Sequence, residues 1–226
     1  MTEFFRASQK EPFKGPHQEG QTERAGVKAD EALAACILIH GRGASAASIL
    51  TLAEELDAPG MSFLAPEADR KTWYPYSFLE PVERNQPGLN SALQRVDDLV
   101  HELVKQGMDR DRILLAGFSQ GACLISEYAA RHPDRFGGLA ILSGGLIGNR
   151  VERNLYSGSL EGTPVFIGCS DVDPHIPEQR VHETAALFEE MDAETLVSIY
   201  PGMAHTVNRN EIEHIQQMVD SLLRHP

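Results

Sequence analysis

The sequence predicts an α/β fold in which a mostly parallel central sheet carries helices on both faces. Three observations lead there. Six short runs are apolar without alternation, as strands covered on both faces are. Segments with helical spacing lie between them, so that strand and helix alternate about five times. The length of 226 residues falls in the range that one α/β domain occupies.

Residues 1–30 are polar and carry Pro12, Gly15, Pro16, Gly20 and Gly26. Such a stretch buries little surface and reads as an N-terminal tail with a short edge hairpin. Residues 31–226 read as a single domain. Its first core strand is AACILIH (34–40), which runs into GRGAS; a helical pattern over roughly 45–57 and the strand MSFLAP (61–66) follow. In NSALQRVDDLVHELVKQG, Leu93, Val96, Leu99, Val100, Leu103 and Val104 recur every three or four residues, which makes one amphipathic helix. Ser91 with Gln94 reads as its capping box and Gly107 as its stop. The strand RILLAG (112–117) then precedes a helix over about 120–131, and GLAILS (138–143) is the next strand. PVFIGCS (164–170) leads to a helix over about 178–191, and LVSIY (196–200) to a last helix over about 211–224.

Thirty-three acidic against twenty basic residues leave a formal charge of −13. That charge repels phosphate backbones and anionic lipid, so neither nucleic acid nor stable membrane association is expected. Cys36, Cys123 and Cys169 are odd in number and lie in apolar segments, which suits buried free thiols of a reducing compartment. The opening MTEFFRASQKEPFKG lacks the charged-then-apolar pattern of a secretory signal, and no window is apolar enough to span a bilayer. A cytoplasmic location is the expectation.

Ligands of such sheets bind outside the carboxyl ends of the strands. The residues found there are His40-Gly41-Arg42-Gly43, Ser119, Ser143-Gly144-Gly145, Asp171, Asp173 and His205. Gly117-Phe118-Ser119-Gln120-Gly121 joins a predicted strand directly to a predicted helix. A bend that tight forces its central residue to positive φ, and the side chain there crowds positions two before and two after, where glycine relieves it. Ser119 is thereby presented as a nucleophile.

A serine hydroxyl needs a base within hydrogen-bond reach and a third group to orient that base. His205 lies in the loop after the last strand, whereas His132 sits beside a helix end and His214 within the final helix. His205 is therefore the expected base, and His40 reads as a structural histidine bracing backbone. Asp173 precedes Pro174, which restricts it to extended geometry, and is the expected acid; Asp171, nearer the strand end, is the alternative. Asp171, Asp173 and His175 at alternate positions also suggest a metal site, but no further ligand spacing supports one. For a tetrahedral oxyanion, the expected donors are the backbone N–H of Gln120, which opens a helix, and that of Arg42 in the glycine-rich loop.

With these residues in view, the chain resembles the phospholipase/carboxylesterase family of serine α/β-hydrolases, which includes acyl-protein thioesterases and lysophospholipases. The resemblance runs through ILIHGRGAS, FLAPEA, TWYPYSF, GFSQGACL, GGLAILSGGL, DVDPHIP and YPGMAHTV. It implies the α/β-hydrolase fold in a small, lid-less form, and hydrolysis of esters or thioesters without metal or organic cofactor. It also implies Ser119, Asp173 and His205 as catalytic triad, so that it selects Asp173 over Asp171, with the N–H groups of Arg42 and Gln120 as oxyanion hole. Arg42 stands where the eukaryotic thioesterases of the family usually carry an apolar residue.

Trp73, Tyr74, Tyr76, Phe78, Leu146, Ile147, Ile176 and Met203 all follow strands and are expected to contribute to an apolar acyl or aryl pocket. The expected function is a carboxylesterase for small or medium esters. A lysophospholipase or acyl-protein thioesterase is the alternative, and a non-catalytic binding module on the same fold the third reading. The partners expected are a small-molecule ester and, at most, a second copy of the chain as a homodimer.

Overall fold

The structure is a computed structural model and describes residues 14–224; residues 1–13 of the expected tail and the last two positions lie outside the described residues. The apolar runs become β2 (Ala34–Ile39), β3 (Met61–Pro66), β4 (Ile113–Phe118), β5 (Gly138–Leu142), β6 (Pro164–Ser170) and β7 (Glu194–Tyr200). Between and after them run α1 (Ala46–Glu54), α2 (Gly88–Lys105), α3 (Gln120–Arg131), α4 (Glu178–Glu190) and α5 (Arg209–Arg224).

A further strand, β1 (Thr22–Gly26), completes a seven-stranded sheet in the order β1-β3-β2-β4-β5-β6-β7. It lies antiparallel to β3, while β2 to β7 are parallel throughout. Where a hairpin is expected in this region, the described residues form one edge strand. It finds its partner in β3, with Thr22 opposite Pro66 and Gly26 opposite Ser62.

The absence of alternation in the strand sequences has a direct cause. In β2, Ala35, Ile37 and Ile39 meet the layer that holds α2, α3 and α4, while Ala34, Cys36 and Leu38 meet the layer that holds α1 and α5. Side chains of a strand alternate between faces, so two covered faces require every position to be apolar. Burying each such Leu, Ile or Val contributes about 1.5–3 kcal/mol. Cys36, Cys123 and Cys169 are buried free thiols within these layers, and burial pushes their pKa values up.

The helix predicted after residue 90 begins earlier than its predicted cap. Ser91 lies in the first turn of α2, its N–H donating to the carbonyl of Pro87 at 3.1 Å. The Ser91–Gln94 capping box therefore does not form. The Ser91 hydroxyl instead accepts the N–H of His17 at 2.9 Å and donates to Oε1 of Gln18 at 2.7 Å, tying the segment before β1 to the helix. Gly107 does end the helix, at φ +94°. Leu93, Val96, Leu99, Val100 and Leu103 are buried, whereas Val104 turns to solvent. No helix among the described residues is long and apolar enough to cross a membrane.

Candidate active site

Ser119 stands at the bend between β4 and α3, with φ 56° and ψ −118°, outside the regions that L-residues ordinarily occupy. Its N–H donates to the carbonyl of Leu142 at 2.9 Å, and its own carbonyl accepts the N–H of Cys123 at 3.0 Å, the first bond of α3. Strand and helix thus hold the strained residue from both sides.

The flanking glycines are required by backbone rather than by the serine side chain. A Cβ at Gly117 would lie 2.6 Å from the carbonyl group of Gly121, and one at Gly121 only 2.1 Å from the carbonyl oxygen of Ile39 in β2. The helix leaves the sheet so closely that neither position has room for a methyl group. This corrects the expectation that the glycines relieve crowding by Ser119 itself.

The loops after β6 and β7 bring the remaining groups to this bend. Nε2 of His205 is 2.9 Å from Oγ of Ser119, and Nδ1 of His205 is 2.7 Å from Oδ2 of Asp173. The other carboxylate oxygen of Asp173 accepts the N–H groups of His175 at 2.8 Å and Ile176 at 3.0 Å. Burial alone would raise the pKa of Asp173. The hydrogen bond with His205 and the two backbone N–H groups outweigh burial and hold the carboxyl below its ordinary value. Rings of Phe118 and His175 flank the imidazole, with centroids 4.8 and 4.9 Å away.

Asp171 does not reach the histidine. Its Oδ1 accepts the N–H of Gly202 at 2.7 Å and so anchors the turn after β7. Among the described residues, no group of three His, Cys, Asp or Glu side chains is arranged to hold a metal ion. Ser143 is fully buried, and a Cβ at Gly144 would lie 2.4 Å from that of Ala122, so this strand end packs on α3.

The loop after β2 lies against the serine: a Cβ on Gly41 would be 3.3 Å from that of Ser119. The N–H of Gln120 opens α3 and so has no acceptor within the helix. The N–H groups of Arg42 and Gln120 thus belong to the two segments that border Ser119. His40 braces backbone, its Nδ1 donating to the carbonyl of Gly41 at 2.7 Å and its Nε2 accepting the N–H of Ala68 at 3.1 Å. Burial lowers the His40 pKa, which suits a neutral ring that accepts at one nitrogen.

The expected pocket residues are placed differently. Trp73, Tyr74, Phe78, Leu146, Ile147 and Ile176 are buried in the core, Tyr76 is half exposed, and Met203 is partly buried with its sulfur 3.0 Å from Nδ2 of Asn208. Trp73 lies between the rings of His17 and His40 and donates from its indole nitrogen to the carbonyl of His40 at 2.9 Å. Its bulk and its N–H are satisfied inside the fold, so it supports the loop after β2 instead of lining a cavity.

A cavity of about 250 Å³ opens instead beside His205, between α1 and the loop after β7, lined by Gly41, Ser48, Ile49, Leu52, Phe118 and Val207 among others. None of the eight expected residues lines it. Phe118 immediately precedes Ser119 and Val207 follows His205 by two, so proximity to the motifs was a usable signal for both. Ile49 and Leu52, on α1, carry no such mark.

The family model described as Phospholipase/Carboxylesterase matches residues 22–223. Among curated proteins, the chain is 28% identical over 221 residues to Acyl-protein thioesterase 1 of Kluyveromyces lactis, covering 89% of this chain and 97% of that one. Among solved structures, a phospholipase/carboxylesterase from Dyadobacter fermentans superposes with a TM-score of 0.86 at 41% identity, covering 88% and 96% of the two chains. A carboxylesterase of Bacillus cereus shares the fold, with a TM-score of 0.71 at 19% identity over 91% of this chain and 95% of that one.

Proposed function

Because the chain belongs to the phospholipase/carboxylesterase family, and is thereby a hydrolase of the α/β-hydrolase fold, we propose that it is a serine carboxylesterase for small or medium carboxylic esters. One observation carries the reading: the chain of contacts from Ser119 Oγ to His205 Nε2, and from His205 Nδ1 to Asp173 Oδ2. In this reading Oγ of Ser119 attacks the acyl carbon while Nε2 of His205 takes its proton, and Asp173 stabilises the resulting imidazolium. The N–H groups of Arg42 and Gln120 meet the oxyanion. The alcohol leaves with the proton from His205, and a water activated by the same imidazole then releases the acid from Ser119.

The cavity beside His205 supports a compact acyl or alcohol group. A second reading, acyl-protein thioesterase or lysophospholipase, is supported by the name of the Kluyveromyces lactis relative. Hydrolysis of p-nitrophenyl esters from acetyl to palmitoyl, and of matched thioesters, tests the choice, with Ser119→Ala as control. A short- or medium-chain optimum is expected. A palmitoyl optimum or a thioester preference would favour the second reading, and full turnover by Ser119→Ala would remove the serine mechanism.

A further inference from the structure

Arg42 lies between Gly41 and Gly43, and Gly43 takes φ +76°. A peptide between two glycines is the most mobile kind of backbone, and a hydrogen-bond donor for an oxyanion is effective only if its direction is set in advance. The carbonyl of Gly41, in the same peptide as the Arg42 N–H, accepts from Nδ1 of His40 at 2.7 Å and from the N–H of Ala44 at 3.2 Å, and the N–H of Gly43 donates to the carbonyl of Lys71 at 2.7 Å. A further set of anchors comes from the Arg42 side chain. Its Nη1 donates to Oγ1 of Thr72 and the carbonyl of Pro75, both at 2.9 Å; its Nη2 donates to the carbonyls of Tyr74 at 2.9 Å and Tyr76 at 2.7 Å.

All four terminal N–H groups of the guanidinium are thus committed, and no carboxylate is among their acceptors. Three successive carbonyl dipoles converge on one cation. The loop they belong to is fixed independently. The indole of Trp73 donates to His40, and the N–H of Tyr76 donates to Oδ1 of the buried Asn85 at 2.9 Å.

Gln120 grips the same loop. Its Oε1 accepts the N–H of Trp73 at 2.9 Å, and its Nε2 donates to the carbonyl of Tyr74 at 2.8 Å. The carbonyl of Tyr74 therefore ties the side chain of Arg42 to that of Gln120, the two residues whose backbone N–H groups border Ser119.

Resting on the serine-esterase reading above, we propose that the Arg42 side chain is a positioning residue for the oxyanion hole: by clamping residues 74–76 it fixes the direction of its own backbone N–H relative to that of Gln120. The engaged guanidinium leaves no terminal N–H for an anionic substrate. Lysine concentrates its donors at one point and cannot span these four acceptors.

The test compares wild type, Arg42→Lys and Arg42→Ala on neutral and anionic short-chain esters, with a trifluoromethyl ketone that forms a tetrahedral adduct as probe of oxyanion binding. In both variants kcat should fall about 10- to 100-fold, with KM changed less than about threefold and both ester types affected alike. Affinity for the ketone should fall in parallel. Millimolar guanidinium should restore part of the kcat of Arg42→Ala. Should the alanine variant fail to fold, the lysine variant and the ketone decide.

A kcat within about twofold of wild type in Arg42→Lys, or a loss confined to KM or to anionic esters, overturns the positioning role. Those results leave the esterase reading intact. Activity surviving in Ser119→Ala, or absent from wild type, sinks the esterase reading and the positioning role with it.

Discussion

Oδ2 of Asp173 lies 2.7 Å from Nδ1 of His205, and the side chain of Asp173 is wholly removed from solvent. Asp173→Asn keeps the shape but sets an N–H against Nδ1, so the imidazole must adopt the tautomer with its proton on Nε2, facing Ser119. A fall in kcat of about 10³- to 10⁴-fold is expected, as for an analogous change in another serine hydrolase. The folded pKa of Asp173 is depressed, so its contribution to stability is complete above the ordinary carboxylate pKa of about 3.9 and is lost as pH falls through the folded value. The asparagine variant should lack that component of acid unfolding. A kcat loss under about tenfold would detach Asp173 from the imidazole's work.

Gly121→Ala places a methyl group 2.1 Å from the carbonyl oxygen of Ile39 and 2.7 Å from that of His40. Both obstacles are backbone, so α3 must move away from β2 and carry Ser119 with it. A loss of about 3 kcal/mol is expected, at the top of the usual range for overpacking, together with loss of activity. Gly43→Ala meets nothing within 4 Å and is strained only by its φ of +76°, so about 1 kcal/mol is expected there. Chemical denaturation of the two variants checks the contrast, and equal losses would contradict it.

Glu211 is buried near the start of α5, with Oε2 accepting the N–H of Asn208 at 2.8 Å and Oε1 without a hydrogen-bond partner. Burial raises its pKa from 4.5 to about 7. Because the folded value is the higher one, the stabilisation is present below about 4.5 and is lost as pH rises through about 7, a difference of about 3 kcal/mol. Glu211→Gln should be more stable than wild type at pH 8 and should lack this slope. Unfolding free energies that run parallel in the two proteins between pH 4.5 and 7 would show that the carboxyl does not titrate there.

The cavity beside His205 makes a size prediction. Leu52→Ala removes bulk from its wall and should move the ester optimum toward longer chains, whereas Leu52→Trp should move it toward acetyl. Each added or removed methylene is worth about 1–3 kcal/mol of discrimination, so kcat/KM ratios between neighbouring esters should change at least severalfold. Unchanged ratios in both variants would place the substrate elsewhere.

The fold was legible because its rule is local. Two covered faces leave strands such as 34–39 and 113–118 apolar at every position, and an amphipathic helix such as 88–105 repeats every three or four residues whatever its neighbours. The order of strand ends also marked Ser119, an aspartate of the loop after β6 and His205 as a set, leaving Asp171 and Asp173 both open until the family resemblance favoured Asp173. Helix ends were less legible: Ser91 has the composition of a cap, yet its hydroxyl is taken by His17 and Gln18, far away in the chain.

The sequence by itself determined the α/β layering, the bend at Ser119 and the loops from which its partners come, since periodicity and strand-end position are properties of short segments. Only the tertiary structure decided that Asp173 meets His205 while Asp171 holds Gly202. It alone put Trp73 in the core and a cavity beside Leu52, and turned the Arg42 guanidinium onto Tyr74, Pro75 and Tyr76. A side chain's direction depends on which acceptors and which free volume other segments bring to it, and no local pattern records that.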